Sequence, residues 1–273
     1  MTRTVFDKRT SLSEAVQLVQ DGDVLALGGM TLYRRPMAFV RELLRRDAPP
    51  TDLTLLCFTA GFESDLLIGA GCVQTVRSAY FGLESFGFAP MFTEKAQKGE
   101  IRIVEETEAS IVMGIRATLS GVGFMPSNAW LGTDLPSLRP DVKTIQDPYT
   151  GDERMALPAI HCDVAVIHGL AGDQYGNVKI NNNLGIDMEL VYVADTVIFT
   201  VEEIIDELHP SSDGVLIPFP GADYIVHIPR GAYPTSCYPN YPIGGGEFMR
   251  YVDACNAGQF GAYLEKFLQE KPE

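Results

Sequence analysis

Short apolar runs alternate with amphipathic stretches through the first 125 residues, and this alternation restricts the fold more than any other feature. The apolar runs predict strands at residues 24–27, 53–57, 73–80 and 100–104. Helices are predicted after the first strand, where Phe39, Val40, Leu43 and Leu44 share one face, and over residues 107–119. Strands that alternate with helices in this way form a parallel sheet with helices on both faces. We therefore predict an α/β fold with an open, doubly wound, mostly parallel sheet.

The second half of the chain continues this pattern less regularly. Residues 163–168 (DVAVIH) and 196–201 have the apolar character of buried strands, and a terminal helix is predicted from Glu247. Residues 124–160 are rich in Pro, Gly and Asp with weak periodicity, so we expect a long covering segment there. Because no repeat or linker interrupts the sequence, we predict one domain over residues 1–273.

Composition and charge exclude several classes of function. The 273 residues carry a net charge of −15, which argues against nucleic-acid binding because phosphates require a positive surface. No stretch approaches the ~20 apolar residues of a membrane span, and residues 1–14 lack the apolar region of a secretory signal. The five cysteines are scattered without a CxxC pair, which is typical of reduced thiols. We predict a cytoplasmic protein with no membrane or nucleic-acid partner.

The segment LALGGMTLYRRPMAF, residues 25–39, is the first candidate binding loop. A strand, the Gly28-Gly29 turn and a helix place backbone N–H groups at the carboxyl edge of the sheet, where negative charge can be received. An alternative is a tight turn that binds nothing. The loop matches neither GxGxxG nor a phosphate-binding P-loop, which disfavours nicotinamide nucleotides and ATP. Arg34 and Arg35 are candidate partners for an acid or phosphate group.

Glutamates and a histidine provide further candidates at the same edge. Glu105, Glu106 and Glu108 lie between a strand and a helix, where they either stabilise the helix N-terminus or serve as general base or nucleophile. His168 ends the DVAVIH strand. Its spacing from His161 does not suit a metal site, so we expect a hydrogen-bonded core histidine and no metal.

An ordered set of short motifs resembles one enzyme family. The motifs are GDVLALGGMT, the Arg-Pro before the first long helix, GFMP (123–126), LGTDLP (131–136), DVAVIH, GDQYGN, TVEEI (200–204) and RGAYPTSCY (230–238). Together they resemble alpha subunits of family I CoA-transferases, the glutaconate CoA-transferase type in particular. The resemblance implies the CoA-transferase and ribose-phosphate-isomerase type of α/β fold. It also implies a coenzyme A thioester as substrate, a carboxylic acid as acceptor, and no permanently bound cofactor.

The same resemblance implies a homologous beta subunit, in a heterotetramer of two alpha and two beta chains or a larger assembly. In the family the beta chain supplies a catalytic glutamate in a Glu-x-Gly motif after a strand. Here the comparable strand runs into Thr59-Ala60-Gly61. Glu63 follows slightly after the position of the motif, and Glu84 follows another strand. The nucleophile is therefore expected on the partner. The expected acyl-CoA-binding residues of this chain are Gly28, Gly29, Met30, Thr31, Arg34 and Arg35.

A second resemblance leaves an alternative open. Residues 35–45, RPMAFVRELLR, are similar to the alpha subunits of an actinobacterial CoA-thioester hydrolase that opens the last steroid ring. That resemblance implies a catalytic glutamate on the alpha chain, at Glu108 or, as second choice, Glu105. A third hypothesis is a non-catalytic ligand-binding domain.

Overall fold

Twelve strands and nine α-helices make up the part of the chain that the structure, a computed structural model, describes (residues 7–270). The strands are β1 (Val24–Leu27), β2 (Leu53–Ala60), β3 (Val73–Phe81), β4 (Arg102–Glu105), β5 (Phe124–Ser127), β6 (Lys143–Gln146), β7 (Glu153–Pro158), β8 (Cys162–Gly172), β9 (Val178–Ile180), β10 (Ala194–Ile204), β11 (Val215–Ile217) and β12 (Tyr224–His227). The helices are α1 (Leu12–Ala15), α2 (Met37–Leu44), α3 (Phe62–Gly69), α4 (Pro90–Lys98), α5 (Glu108–Leu119), α6 (Leu135–Leu138), α7 (Asp187–Val193), α8 (Gly245–Asn256) and α9 (Phe260–Gln269).

Seven of the strands pair in parallel, and their order confirms the predicted doubly wound sheet. The order is β12–β10–β8–β1–β2–β3–β4. The chain starts in the middle at β1, moves outward to β4, and returns to build the other half from β8. The direction of winding reverses between β1 and β8, which is where open α/β sheets bind their ligands.

Helices cover both faces of the sheet, as its apolar strands require. On one face α2, α3, α8 and α9 enclose a core that includes Phe39, Phe62, Phe248 and Phe267. On the other face α5 and α7 pack Ile111, Ile115 and Leu190 against the sheet. A parallel sheet must be buried on both sides, which explains why its strands are near-continuous apolar runs in the sequence.

The predicted covering segment folds into regular structure instead. Residues 124–158 contain a small antiparallel sheet of order β5–β7–β6, with a core around Trp130, Met155 and Leu157. Strands of four to six residues interrupted by Pro and Gly leave little periodicity in the sequence, which is why the pattern did not reveal them. The prediction of one domain over the whole chain stays a prediction.

Helices α1 and α2 each make a specific stabilising contact. Ser11 and Glu14 form the capping box that begins α1, with the Ser11 hydroxyl accepting the Glu14 N–H. Arg41 of α2 is buried, because its guanidinium group stacks 4.0 Å from the ring centre of Phe267 in α9. Among residues 7–270 no helix is both long and apolar enough to cross a membrane.

Candidate functional site

The loop after β1 lies at the reversal of the sheet. Gly28 extends the parallel ladder, donating its N–H to Val166 of β8 at 2.9 Å. The next residues form a tight turn in which Met30 and Tyr33 exchange backbone hydrogen bonds of 2.9 and 2.7 Å. The loop is therefore held against the carboxyl ends of β1 and β8, as its sequence predicted.

The N–H groups of residues 28–31 all bond within the chain. The Gly29 N–H donates to Asp187 Oδ1 at 2.7 Å, and the Thr31 N–H donates to Thr59 Oγ1 at 2.9 Å. With Gly28 bound to Val166 and Met30 to Tyr33, no N–H of residues 28–31 is left for an anion. The expected cradle for negative charge is therefore not formed, and the geometry favours a rigid turn.

Arg34 is fully buried and anchors the loop to the second half of the sheet. Its guanidinium group donates to Asp187 Oδ2 at 2.9 Å and to the carbonyl oxygen of His168 at 2.7 Å. Asn181 Oδ1 and the Asn183 carbonyl oxygen accept the remaining bonds. Burial works against ionisation of Asp187, but the adjacent Arg34 charge and its hydrogen bonds lower the carboxyl pKa below its ordinary value.

Arg35 forms a second buried ion pair on the opposite side of the same turn. Its guanidinium group donates to Glu63 Oε1 at 2.6 Å and to the Gly29 carbonyl oxygen at 3.0 Å. Burial alone would lower the pKa of Arg35, yet the charge of Glu63 raises it above its ordinary value. The backbone of Gly29 is thus fixed on both sides of its Cα, its N–H by Asp187 and its C=O by Arg35.

Most residues expected to contact substrate are enclosed in this arrangement. Gly28, Gly29, Thr31, Arg34 and Arg35 are buried, whereas Met30 is half-buried. Substrate contact by these residues stays a prediction, and the geometry gives the two arginines a structural role. Tyr33, which the sequence did not single out, is 40% exposed and is the loop's most accessible side chain.

Tyr33 opens onto a large cavity with a volume of about 810 Å³. Its lining is aromatic, aliphatic and amide, and includes Tyr33, Asn181, Tyr238, Pro239, Tyr241 and Ile243. Asp213 is the charged residue of this lining and pairs with Lys179 at 2.7 Å. The sequence pattern did not identify the cavity-lining residues after 236, because they follow no helical or strand period. Their aromatic and Pro content was the signal that could have indicated a binding surface.

The end of β2 contains no free carboxylate at the position where a beta-type chain carries its glutamate. Thr59 occupies the end of this strand, and its hydroxyl accepts the Thr31 N–H. Glu63 is buried in its pair with Arg35, and Glu84 is exposed in a short 3₁₀ helix after β3. This agrees with the absence of Glu-x-Gly from the sequence.

The three glutamates after β4 separate into two kinds. Glu106 is buried and pairs with Arg77 and Arg139 at 2.7 and 2.9 Å, joining the small antiparallel sheet to the edge of the large one. Glu105 and Glu108 are exposed, and Glu108 is the first residue of α5. The two glutamates that the resemblance to the hydrolase implies for catalysis are thus the two that solvent can reach.

His168 is a buried, hydrogen-bonded histidine, in line with the expectation, and its partners come from β10. Its Nδ1 lies 2.8 Å from Thr200 Oγ1, and its Nε2 lies 2.7 Å from Glu202 Oε1. Burial lowers the pKa of His168; burial also opposes ionisation of Glu202, but hydrogen bonds from His168 and Tyr241 lower the pKa of that carboxyl. The neutral imidazole therefore carries its proton on Nε2 and donates it to Glu202.

The other residues near His168 in sequence do not join it. His161 is exposed, and the Asp163 carboxylate accepts the Val24 N–H at 2.7 Å. Cys237 does approach His168 and Glu202; burial, followed by the charge of Glu202, raises the pKa of its thiol to about 12.

The chain is similar along most of its length to subunits of known enzymes. The chain is 34% identical to one of the subunits of the 3-oxoadipate CoA-transferase of Pseudomonas knackmussii, over 95% of its length and 93% of the relative. It is 31% identical to the cholesterol ring-cleaving hydrolase IpdA subunit of Mycobacterium tuberculosis, over 93% of this chain and 90% of that one.

Two crystal structures have the same fold. Glutaconate coenzyme A-transferase from Acidaminococcus fermentans superposes with a TM-score of 0.87 at 28% identity, over 96% of this chain and 88% of that chain. A variant of the decarboxylase AibA/AibB superposes with a TM-score of 0.87 at 30% identity, over 97% of this chain and 100% of that chain.

The fold and the site define an α/β enzyme subunit with its cavity at the carboxyl edge of a doubly wound sheet. The sequence model of the coenzyme A transferase family matches residues 9–227. The chain belongs to this family.

Replacement of Gly29 by alanine tests the rigidity of the turn. Gly29 has φ +80°, and an added Cβ would lie 2.5 Å from the Arg34 carbonyl oxygen and 2.6 Å from that of Tyr33. Gly22 has φ +81° with nothing within 4 Å, so Gly22→Ala measures the backbone strain alone. We expect Gly29→Ala to cost about 1–3 kcal/mol more unfolding free energy than Gly22→Ala in urea denaturation. Equal losses would show that the turn yields to the new side chain.

Removal of one partner tests the pair of Arg35 and Glu63. Arg35→Met leaves a buried carboxylate without its cation and should cost about 3–5 kcal/mol of unfolding free energy. Adding Glu63→Leu removes that charge and should recover most of the loss. Lys98→Met, which breaks an exposed pair with Glu94, serves as the control and should cost less than about 1 kcal/mol. A double variant as unstable as Arg35→Met would contradict this account.

Proposed function

We propose that this chain is the alpha subunit of an enzyme that transfers coenzyme A from an acyl thioester to a carboxylic acid. The observation that carries the proposal is the end of β2, where Thr59-Ala60-Gly61 stands in place of Glu-x-Gly and Glu63 is held by Arg35. The nucleophile then belongs to a homologous beta subunit. Membership in the coenzyme A transferase family and similarity to a chain of a 3-oxoadipate CoA-transferase support this assignment.

The proposed reaction divides one acyl transfer between successive attacks on carbonyl carbons. The partner's glutamate carboxylate attacks the acyl-CoA, forming an acyl-glutamyl anhydride and releasing the CoA thiolate. The thiolate attacks the glutamyl carbonyl, which gives a glutamyl-CoA thioester and frees the first acid. The second carboxylate attacks that thioester, forming a mixed anhydride that the released thiolate then cleaves at the acyl carbon. The products are the new acyl-CoA and the regenerated glutamate.

In this proposal the alpha chain supplies a preformed wall of the substrate site. The cavity of about 810 Å³ at the carboxyl edge offers amides and aromatic rings to the acyl or pantetheine portion. A net charge of −15 does not favour the phosphates of coenzyme A, so local cations or the partner would have to receive them. We place the assembly in the cytoplasm, in a heterotetramer or a larger complex.

Reconstitution with a homologous beta-type chain tests the proposal. We expect CoA transfer from a panel of acyl-CoAs only when both chains are present. Hydroxylamine or borohydride should trap a CoA-dependent adduct on the partner's glutamate, because the thioester intermediate is electrophilic. Transfer by the isolated 273-residue chain would contradict the proposal.

A ring-opening hydrolase is the second candidate. The observation in its favour is the exposed Glu108 at the start of α5, together with the relative named as a ring-cleaving hydrolase subunit. Related structures also include a decarboxylase, so decarboxylation belongs in the same assay.

Glu108→Gln distinguishes CoA transfer from ring-opening hydrolysis in the reconstituted complex. If this chain supplies no nucleophile, the variant should retain CoA transfer within a few-fold of the wild type, since an exposed carboxylate is replaced by an amide of equal size. Glu105→Gln tests the second position, and the exposed Glu84→Gln is the control. A hydrolase would instead be identified by a loss of ring-opening hydrolysis in Glu108→Gln alone. That loss should be at least about 100-fold, the scale of a lost general base.

A further inference from the structure

Three potential metal ligands meet below the wall of the large cavity. His168 on β8, Glu202 on β10 and Cys237 in the loop after β12 each place one donor atom within 4.8 Å of the others. Within residues 7–270 this is the one such group of three or more His, Cys, Asp or Glu side chains. Its members are 34 and 35 residues apart in sequence (168 to 202, 202 to 237), so no short motif could reveal it.

The imidazole is already oriented as a metal ligand requires. Thr200 Oγ1 lies 2.8 Å from Nδ1, which leaves Nε2 directed at the Glu202 carboxylate, 2.7 Å away. A ligating histidine generally has its second nitrogen fixed by a hydrogen-bond partner, which sets the tautomer and the ring orientation. Thr200 is fully buried, so solvent does not compete with the ring for its hydroxyl.

We propose that His168 Nε2, a Glu202 carboxylate oxygen and Cys237 Sγ bind a divalent transition-metal ion of the zinc class. A nitrogen, an oxygen and a sulfur donor suit Zn²⁺ or Co²⁺, whereas Mg²⁺ and Ca²⁺ prefer oxygen ligands alone. The Tyr241 hydroxyl, which already contacts Glu202, or a water molecule is available for the fourth position.

Protons and charge balance at this site. Binding displaces the proton of the Cys237 thiol to solvent, and the imidazole proton moves from Nε2 to Nδ1, where it donates to Thr200 Oγ1. The imidazole stays neutral, while the thiolate and the Glu202 carboxylate together neutralise the two positive charges of the ion. An interior site without net charge avoids the large cost of burying an unpaired ion.

A neighbouring cavity provides a route for the ion, and the bound ion joins separate elements of the fold. Glu202 lines a second cavity, of about 390 Å³, whose other walls include Lys179, Asp213 and Asn240. Asp213 and Pro239 border both cavities, so the site lies between them. An ion there joins β8, β10 and the loop that carries Cys237, and so fastens the wall of the proposed substrate cavity to the sheet.

Cobalt spectroscopy on the full chain tests the sulfur ligand directly. Titration of the chelator-treated protein with Co²⁺ should produce a near-ultraviolet thiolate-to-cobalt band that saturates at one ion per chain. Cys237→Ser, a nearly isosteric change, should abolish the band. Cys255→Ser, at the half-buried thiol of α8, is the matched control and should keep it. Absence of the band in the wild type, or its survival in Cys237→Ser, would overturn the proposal.

Zinc affinity tests the orientation of the ligands without any substrate. Thr200→Val keeps the size of the side chain but removes the bond to Nδ1, and should weaken Zn²⁺ binding about 10–100-fold in competition with a chelating dye. Glu202→Gln should weaken it at least as much. Wild-type affinity in both variants would show that zinc binds elsewhere and refute the site. Because no transfer assay is involved, failure here is distinct from failure of the proposed function.

Discussion

The backbone of Gly29 is the point on which the architecture depends. Two buried ion pairs hold it, one through Asp187 on its N–H and one through Arg35 on its carbonyl oxygen. Asp187 begins α7, and Glu63, the partner of Arg35, lies at the start of α3. The turn therefore links a helix from each face of the sheet at the place where winding reverses. Removal of one charge would leave its partner buried without a counter-charge. Each pair is therefore a strong constraint on the local geometry.

The sequence predicted the parallel sheet because buried strands and amphipathic helices have distinct periods. It predicted the position of the Gly28-Gly29 turn for the same reason, but not what the turn does. Arg34 and Arg35 resembled free cations because their acceptors, Asp187 and Glu63, lie 153 and 28 residues away. Sequence spacing does not indicate which distant carboxylate neutralises a cation. The same limit concealed the small antiparallel sheet, whose strands are short, and the cavity wall after residue 236, which has no period.

The family assignment was accessible from the sequence because it depends on the order of many weak motifs. The relatives nevertheless include chains named for CoA transfer and ring cleavage, and a decarboxylase shares the fold. A common scaffold with several reactions implies that chemistry is set by a few groups at the carboxyl edge. In this chain Glu108 is exposed at that edge, whereas Glu63 and Glu106 are consumed in ion pairs.

The absence of free donors in residues 28–31 has a consequence for how such a protein can change its ligand over evolutionary time. Because the hydrogen bonds of residues 28–31 are satisfied within the chain, a change in the rest of the cavity lining leaves them intact. The segment that carries Tyr238 and Ile243 faces the cavity, and Tyr238 is 76% exposed. In the proposed site, substitutions in this segment would therefore reshape the cavity while the hydrogen bonds of the turn stay intact.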